Sequence, residues 1–257
     1  MMATDRAMVP AARQVFRVPL HVYDVAVGGC KPVELYIQSP KSETGNWANR
    51  KLAAQKSGVR LAYSSEWFLG RRYLEQKHPQ IERDFIEGPF EWTDTVLDFD
   101  KEELVEGIIL DPHIPEQEIL ANPSAAIKTA KTRLGSREGI YLPHKSAYIK
   151  DIPDKHMKLI YYLWGVKDPK KELPDYTYLW IADNVWIADN GFRPVVRGDW
   201  GLGHRDGGRV GAGAGCGAAC RGFAARFVSE NRPENALTPQ EYKALTQQFS
   251  ERPILIE

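Results

Sequence analysis

Cysteine is scarce in this chain, with Cys30, Cys216 and Cys220 the only three in 257 residues. An odd number without the spacing of a disulfide framework argues against a small secreted fold stapled by disulfides. No apolar run reaches the 18 or more residues of a membrane-spanning helix. The first twenty residues, "MMATDRAMVPAARQVFRVPL", hold no apolar core of secretory-signal length. The expectation is a protein made in the cytoplasm, with no membrane span, that reaches a virion tail or a cell surface by another route. A surplus of basic charge is missing too: Lys plus Arg and Asp plus Glu both number 34, which speaks against general affinity for nucleic acid. One absence is local. From Gly201 to Gly222 there is no Lys, Glu, Gln, Met or Trp, although all five occur elsewhere in the chain.

The apolar content of 43 % and charged content of 26 % suit a globular protein, and the length allows a sizeable core. In "VFRVPLHVYDVAV" (15–27), Phe16, Val18, Leu20 and Val22 recur with period two, which predicts a half-buried strand. Pro19 within it cannot donate to a ladder and predicts an edge or a bulge. "NWANRKLAAQKSG" (46–58) predicts a helix stopped by Gly58. "SSEWFLGRRYLEQKHP" predicts a second, capped by Ser64 or Ser65 and ended before Pro79. A third is expected over 122–135, with Asn122 as cap, Pro123 in the first turn and Gly135 as stop, and a fourth in "DKHMKLIYYLWG" up to Gly165. The tandem "WIADNVWIADN" (180–190) reads as strand, turn and strand packed through Trp180 and Trp186. Thr238 and Glu241 form a capping box for a short terminal helix within 236–251. No linker divides the chain, so residues 1–257 are expected to form one domain with an insertion around 100–178.

Four landmarks occur in a fixed order. Arg60-Leu61, Glu66-Trp67 and Arg71-Arg72 mark a strand running into a helix. Gly88 precedes Glu91-Trp92-Thr93. "VVRGDW" (195–200) and "GFAARF" (222–227) follow. The series resembles the formylglycine-generating-enzyme-like branch of the C-type lectin fold. Its members carry Gly-x-Arg-Leu-x-x-x-x-Glu-Trp-Glu at a helix start, then Glu-Trp-Thr, an Arg-Gly-Gly-x-Trp strand and a closing Gly-Phe-Arg strand. The resemblance covers about half the chain. Asp199 replaces the second glycine of Gly-Gly-x-Trp, the helix reads Glu-Trp-Phe, and 100–178 matches no known pattern. It implies an α+β fold of small antiparallel sheets with flanking helices and long irregular insertions. Trp67, Trp92, Trp200, Arg209, Phe223 and Arg226 are then expected as structural supports. Without the resemblance, the three tryptophans read as core aromatics at element ends.

One subgroup of that family, the variable proteins of diversity-generating retroelements, includes phage receptor-binding proteins. It diversifies the segment between the Arg-Gly-Gly-x-Trp and Gly-Phe-Arg strands. Template adenines in AAC or AAT codons are mutated there, and codons ending in a pyrimidine cannot encode Lys, Glu, Gln, Met or Trp. Those are the types missing from 201–222. The resemblance therefore implies a variable region over 197–227 that binds a protein or cell-surface ligand without a cofactor. Its displayed positions would be Gly201, Leu202, Gly203, His204, Arg205, Asp206, Ala212, Gly213, Ala214, Gly215, Cys216, Ala219, Cys220 and Arg221. Gly207 and Arg209 after Trp200 fit the Gly-x-Arg of similar proteins. Display requires exposed positions decoupled from the core, with strand ends and buried aromatics carrying the fold.

Other readings of the same stretch are an invariant lectin-like binding loop and a flexible Gly/Ala-rich linker, whose composition also excludes long charged side chains. The enzymes of the family hold copper with a cysteine pair placed soon after the Gly-Gly-x-Trp strand. Cys216 and Cys220 lie instead near the closing strand, so an oxidoreductase using them is the alternative and no metal site is assigned. "GAGAGC" fails the third position of the dinucleotide fingerprint and lacks a βαβ context. His21, His78, His113, His144, His156 and His204 form no HExxH or triad-like grouping.

Overall fold

The computed structural model describes residues 14–39, 45–77, 91–135, 142–143, 145–179, 191–197, 211–212, 223–231 and 236–237. They form an α+β fold of small, mainly antiparallel sheets with few helices. β1 (Gln14–Asp24) and β2 (Gly29–Ser39) pair antiparallel throughout, from Gln14↔Ser39 to Asp24↔Gly29. Phe16, Val18 and Leu20 are buried while Arg17, Pro19 and His21 face solvent, as the period-two pattern requires.

α1 (Trp47–Lys56) starts at Asn46, whose side chain accepts a hydrogen bond from the Asn49 N–H at 2.8 Å. It gives way at Gly58, whose φ of +67° suits glycine one residue past a helix end. β3 (Arg60–Leu61) leads into α2 (Ser64–Lys77). The first turn of α2 differs from expectation: Ser64 and Ser65 lie inside the helix, and Tyr63 takes the cap position. The Tyr63 carbonyl accepts from the Trp67 N–H at 2.9 Å, and the Glu66 carboxylate accepts from the Tyr63 N–H at 2.8 Å, the glutamate half of a capping box. The Ser64 hydroxyl is drawn inward instead, donating to the Leu163 carbonyl and accepting from Arg197.

β4 (Glu91–Asp98) is buried at every residue and pairs antiparallel with β5 (Glu103–Leu110). The short α3 (Glu116–Ala121) follows. The helix expected over 122–135 does not form. The Asn122 side chain accepts from the Ser124 hydroxyl and the Ala125 N–H, and the chain turns into β6 (Ile127–Leu134), antiparallel to β5. Ile127, Thr129 and Thr132 are β-branched, and the segment offers no wide apolar stripe for a helix to bury. Lys128, Ala130 and Lys131, good helix formers, stand exposed along what is an outer strand among the described residues.

β7 (Ala147–Tyr148) pairs with β8 (Tyr178–Leu179). Between them lie α4 (Met157–Trp164), which ends at Gly165 as expected, and the single turn α5 (Pro169–Glu172). β9 (Phe192–Arg197), β10 (Gly211–Ala212), β11 (Ala224–Ala225), β12 (Phe227–Ser229) and β13 (Ala236–Leu237) complete the strands. One sheet has the order β13-β1-β2-β12-β3, and another β10-β9-β4-β5-β6 with β11 beside β4. The N-terminal strand and the 222–228 region therefore share a sheet, as expected, through β12; β11 belongs to the other. Only Val15 and Phe16 of β1 pair with β13, so Pro19 lies on a stretch whose second side has no ladder among the described residues.

Two large apolar clusters fill the interior, beside a small one of Val15 and Tyr36. One gathers Phe16, Val18, Leu20, Trp67, Phe68, Leu159, Leu163, Val195 and Val228; the other gathers Trp47, Trp92, Val96, Ile108, Phe192 and Phe227. The tandem at 180–190 and the terminal helix expected from 238 onwards lie outside the described residues.

Candidate functional site

The site is built around the first residue of β4. Glu91 has Arg197 of β9 as its ladder partner on one side and Ala224 of β11 on the other. Neighbouring strands lie about 4.8 Å apart, so Arg197 and Ala224 stand about 10 Å from each other across β4. Between them the chain touches the sheet again at β10, where Gly211 pairs with Val196 and Ala212 with Val195. Arg197, Gly211, Ala212 and Ala224 thus stand near one end of one sheet.

All four sequence landmarks meet at Glu91. Its carboxylate accepts from Arg226 at 2.7 Å (Nη2) and 3.1 Å (Nε), and from the Trp67 indole N–H at 2.9 Å. None of these three side chains is more than 1 % exposed. A forked guanidinium with an indole beside it satisfies a carboxylate that would be costly to bury alone. Trp92, the next residue, donates its indole N–H to the Gly45 carbonyl at 2.8 Å. Gly45 in turn donates its N–H to the Phe223 carbonyl at 2.9 Å. The Trp92 and Phe223 rings meet edge to face at 4.9 Å, so the returning foot is fastened by backbone and ring together.

The departing foot is fastened differently. Arg197 is fully buried; its Nε donates to the Ser64 hydroxyl at 2.9 Å, its Nη2 to the Leu163 carbonyl, and its plane lies 4.4 Å from the Trp164 ring centre. Burial, and secondarily the Arg71 charge, pull its pKa down to about 9. At neutral pH it remains a cation. Val195, Val196, Ala225 and Phe227 beside these feet are buried as well. The described ends of the 197–227 stretch are therefore core.

A second buried charge layer lies behind β4, where its pairing with β9 breaks register between Trp92 and Val96. The irregular residues are satisfied locally: the Thr93 hydroxyl donates to the Val195 carbonyl at 2.8 Å, the Asp94 N–H to the Ala62 carbonyl at 2.9 Å, and the Thr95 hydroxyl to Glu106 at 2.9 Å. Asp94 pairs with Lys51 at 2.7 Å, and Glu106 faces Arg133 at 3.3 Å. Burial raises Asp94 to about 6 and Glu106 to about 7, and it lowers Lys51.

Of the supports expected from sequence, Trp67, Trp92 and Arg226 are buried and Phe223 is partly buried against Trp92. Trp200 and Arg209 lie outside the described residues. Among the display positions only Ala212 is described, and its backbone is in β10. Gly201, Leu202, Gly203, His204, Arg205, Asp206, Gly213, Ala214, Gly215, Cys216, Ala219, Cys220 and Arg221 lie outside. Glu91 and Arg197 stand inside the quoted landmarks without an expected role, and Ser64 was expected only as a helix cap; a charged residue flanked by strand-forming apolar ones was the available signal. Among the described residues, no group of three or more His, Cys, Asp or Glu is placed to hold a metal ion, and no helix is long and apolar enough to cross a membrane. Comparison with protein-family models, curated proteins and solved structures finds no match to this chain.

Proposed function

We propose that this is a ligand-binding protein of C-type lectin fold, formylglycine-generating-enzyme-like in type, that displays a retroelement-diversified surface between Arg197 and Phe223. The observation that carries the reading is the anchoring of both ends of 198–222 on either side of Glu91. A segment held by buried side chains and ladder bonds at its feet can change its intervening side chains without changing the core. The composition of 201–222 supports the same reading, since it lacks the five residue types that pyrimidine-ending codons derived from AAC or AAT cannot encode. The partner is a protein or a cell-surface ligand, bound without a cofactor. In this copy the displayed groups are small, and His204, Arg205 and Asp206 supply the polar centre.

The test is joint replacement of Leu202, His204, Asp206, Ala214, Cys216 and Cys220 by Asn, Tyr or Ser. Exposed substitutions change stability by about 0.5 kcal/mol or less each, so the melting temperature stays within a few degrees while ligand preference changes. Unfolding of such variants would overturn the reading. So would stoichiometric copper or zinc lost on Cys216→Ser, which is the signature of the oxidoreductase alternative. At the gene level the reading requires a near-copy of codons 197–227 beside a reverse-transcriptase gene, differing at adenines.

A further inference from the structure

We infer that the protein holds a small inorganic anion, of halide size and charge, against the Arg197 guanidinium at the end of β9. The inference is independent of the display reading and rests on how Arg197 is partnered. Its side chain is fully buried, yet among the described residues the groups it touches are neutral: the Ser64 hydroxyl, the Leu163 carbonyl and the rings of Trp164 and Phe68. Its Nη1 is buried and makes no hydrogen bond with any of the described residues. Glu91, opposite it in the ladder, gives its carboxylate to Arg226 and the Trp67 indole. Among the described residues, the charge that acts on Arg197 is a like one, Arg71 on α2.

A guanidinium does not shed its proton to escape burial, as a lysine can. Even with the value pulled down to about 9, Arg197 is charged at neutral pH. A buried cation with neutral partners alone is unfavourable, whereas a bound anion offsets the charge and accepts from Nη1. The Trp164 indole N–H, on the residue whose ring stacks on Arg197, is also buried without an acceptor. A water molecule could accept these protons but would leave the charge uncompensated. The two unsatisfied donors, Arg197 Nη1 on β9 and Trp164 Nε1 at the end of α4, are few, which suits a compact monovalent ion better than a large oxyanion or organic acid.

The full chain is melted at constant ionic strength while chloride or bromide replaces gluconate, an anion too large to be enclosed. The expected result is a rise of several degrees that saturates with halide concentration, because an ion bound only by the folded state stabilises it. Arg197→Met should remove the saturable part. A crystal grown in bromide gives a readout that needs no variant: an anomalous peak within hydrogen-bonding reach of Arg197 Nη1. Identical melting in halide and gluconate overturns the inference, as does an unchanged halide response in Arg197→Met. If that variant fails to fold, absence of the bromide peak in the native protein overturns it alone.

Discussion

The Glu91 carboxylate and the Arg226 guanidinium, 135 residues apart in sequence, form a two-pronged ion pair with both side chains fully buried. It joins β4 to the crossing between β11 and β12, where the chain passes from one sheet to the other. Removing one partner strands the other charge, at a cost of about 3–5 kcal/mol. Glu91→Gln should therefore lower the melting temperature by about 10 °C, at about 2–4 °C per kcal/mol for a protein of this size. The double variant Glu91→Leu/Arg226→Met should recover much of that loss. A double variant no better than the worse single one would show that the pair's geometry, and not charge burial, holds the crossing.

Trp92 contributes a hydrogen bond as well as a ring. Trp92→Phe keeps most of the contact with Phe223 but leaves the Gly45 carbonyl without the indole donor. The expected loss is about 1–3 kcal/mol, against about 3–5 kcal/mol for Trp92→Ala. Chemical denaturation of the two variants separates the contributions. Equal losses would mean that the ring contact contributes nothing measurable beyond the hydrogen bond, and an unchanged Trp92→Phe would mean that the N–H contributes nothing.

Local patterns carried the elements they could carry. The period-two burial of β1, the Asn46 cap of α1 and the Gly165 stop of α4 are all decided by residues near in sequence. The error at 122–135 came from the same kind of reasoning: Asn122 and Pro123 do form a turn, but helix propensity weighs a few tenths of a kcal/mol per residue and loses to a ladder with β5. The cap of α2 was misjudged because Ser64 is claimed by Leu163 and Arg197, partners 99 and 133 residues away. The convergence of the landmarks on Glu91 was beyond reach for that reason. Their order was visible in the sequence, but which charge pairs with which is fixed by sheet topology.

Stability should respond to pH through Glu106. Its folded value is raised from 4.5 to about 7, with burial the largest cause. A group raised on folding stabilises fully below its unfolded value, and that contribution is lost as pH rises through the folded one. Between about pH 5 and 7 the native protein should lose stability relative to Glu106→Gln at up to about 1.4 kcal/mol per pH unit. Above about pH 8 the difference should be constant. Urea denaturation of both proteins from pH 5 to 8 measures it, and parallel curves over the whole range would mean that Glu106 titrates as an ordinary carboxylate.

Two glycines with the same backbone conformation should differ sharply in tolerance. Gly58 after α1 has φ +67°, and a Cβ built there meets nothing within 4 Å. Gly58→Ala should therefore cost about 1 kcal/mol, the left-handed penalty alone. Gly191, just before β9, has φ +70°, but its Cβ would lie 2.7 Å from the Asp100 backbone nitrogen and from Asp100 Oδ1. The Gly191 carbonyl also accepts from the Phe99 N–H at 2.9 Å, so relief of the clash would disturb the bond that ties the turn after β4 to the start of β9. Gly191→Ala should cost more than Gly58→Ala by at least the value of that bond, about 1 kcal/mol. It should also loosen the β4–β9 ladder on which the departing foot of 198–210 stands. Thermal melts of the two variants give the comparison, and amide exchange of Arg193 and Val195 reads the ladder directly. Equal losses with unchanged exchange would mean that Asp100 yields freely and that Gly191 does not fix the start of β9.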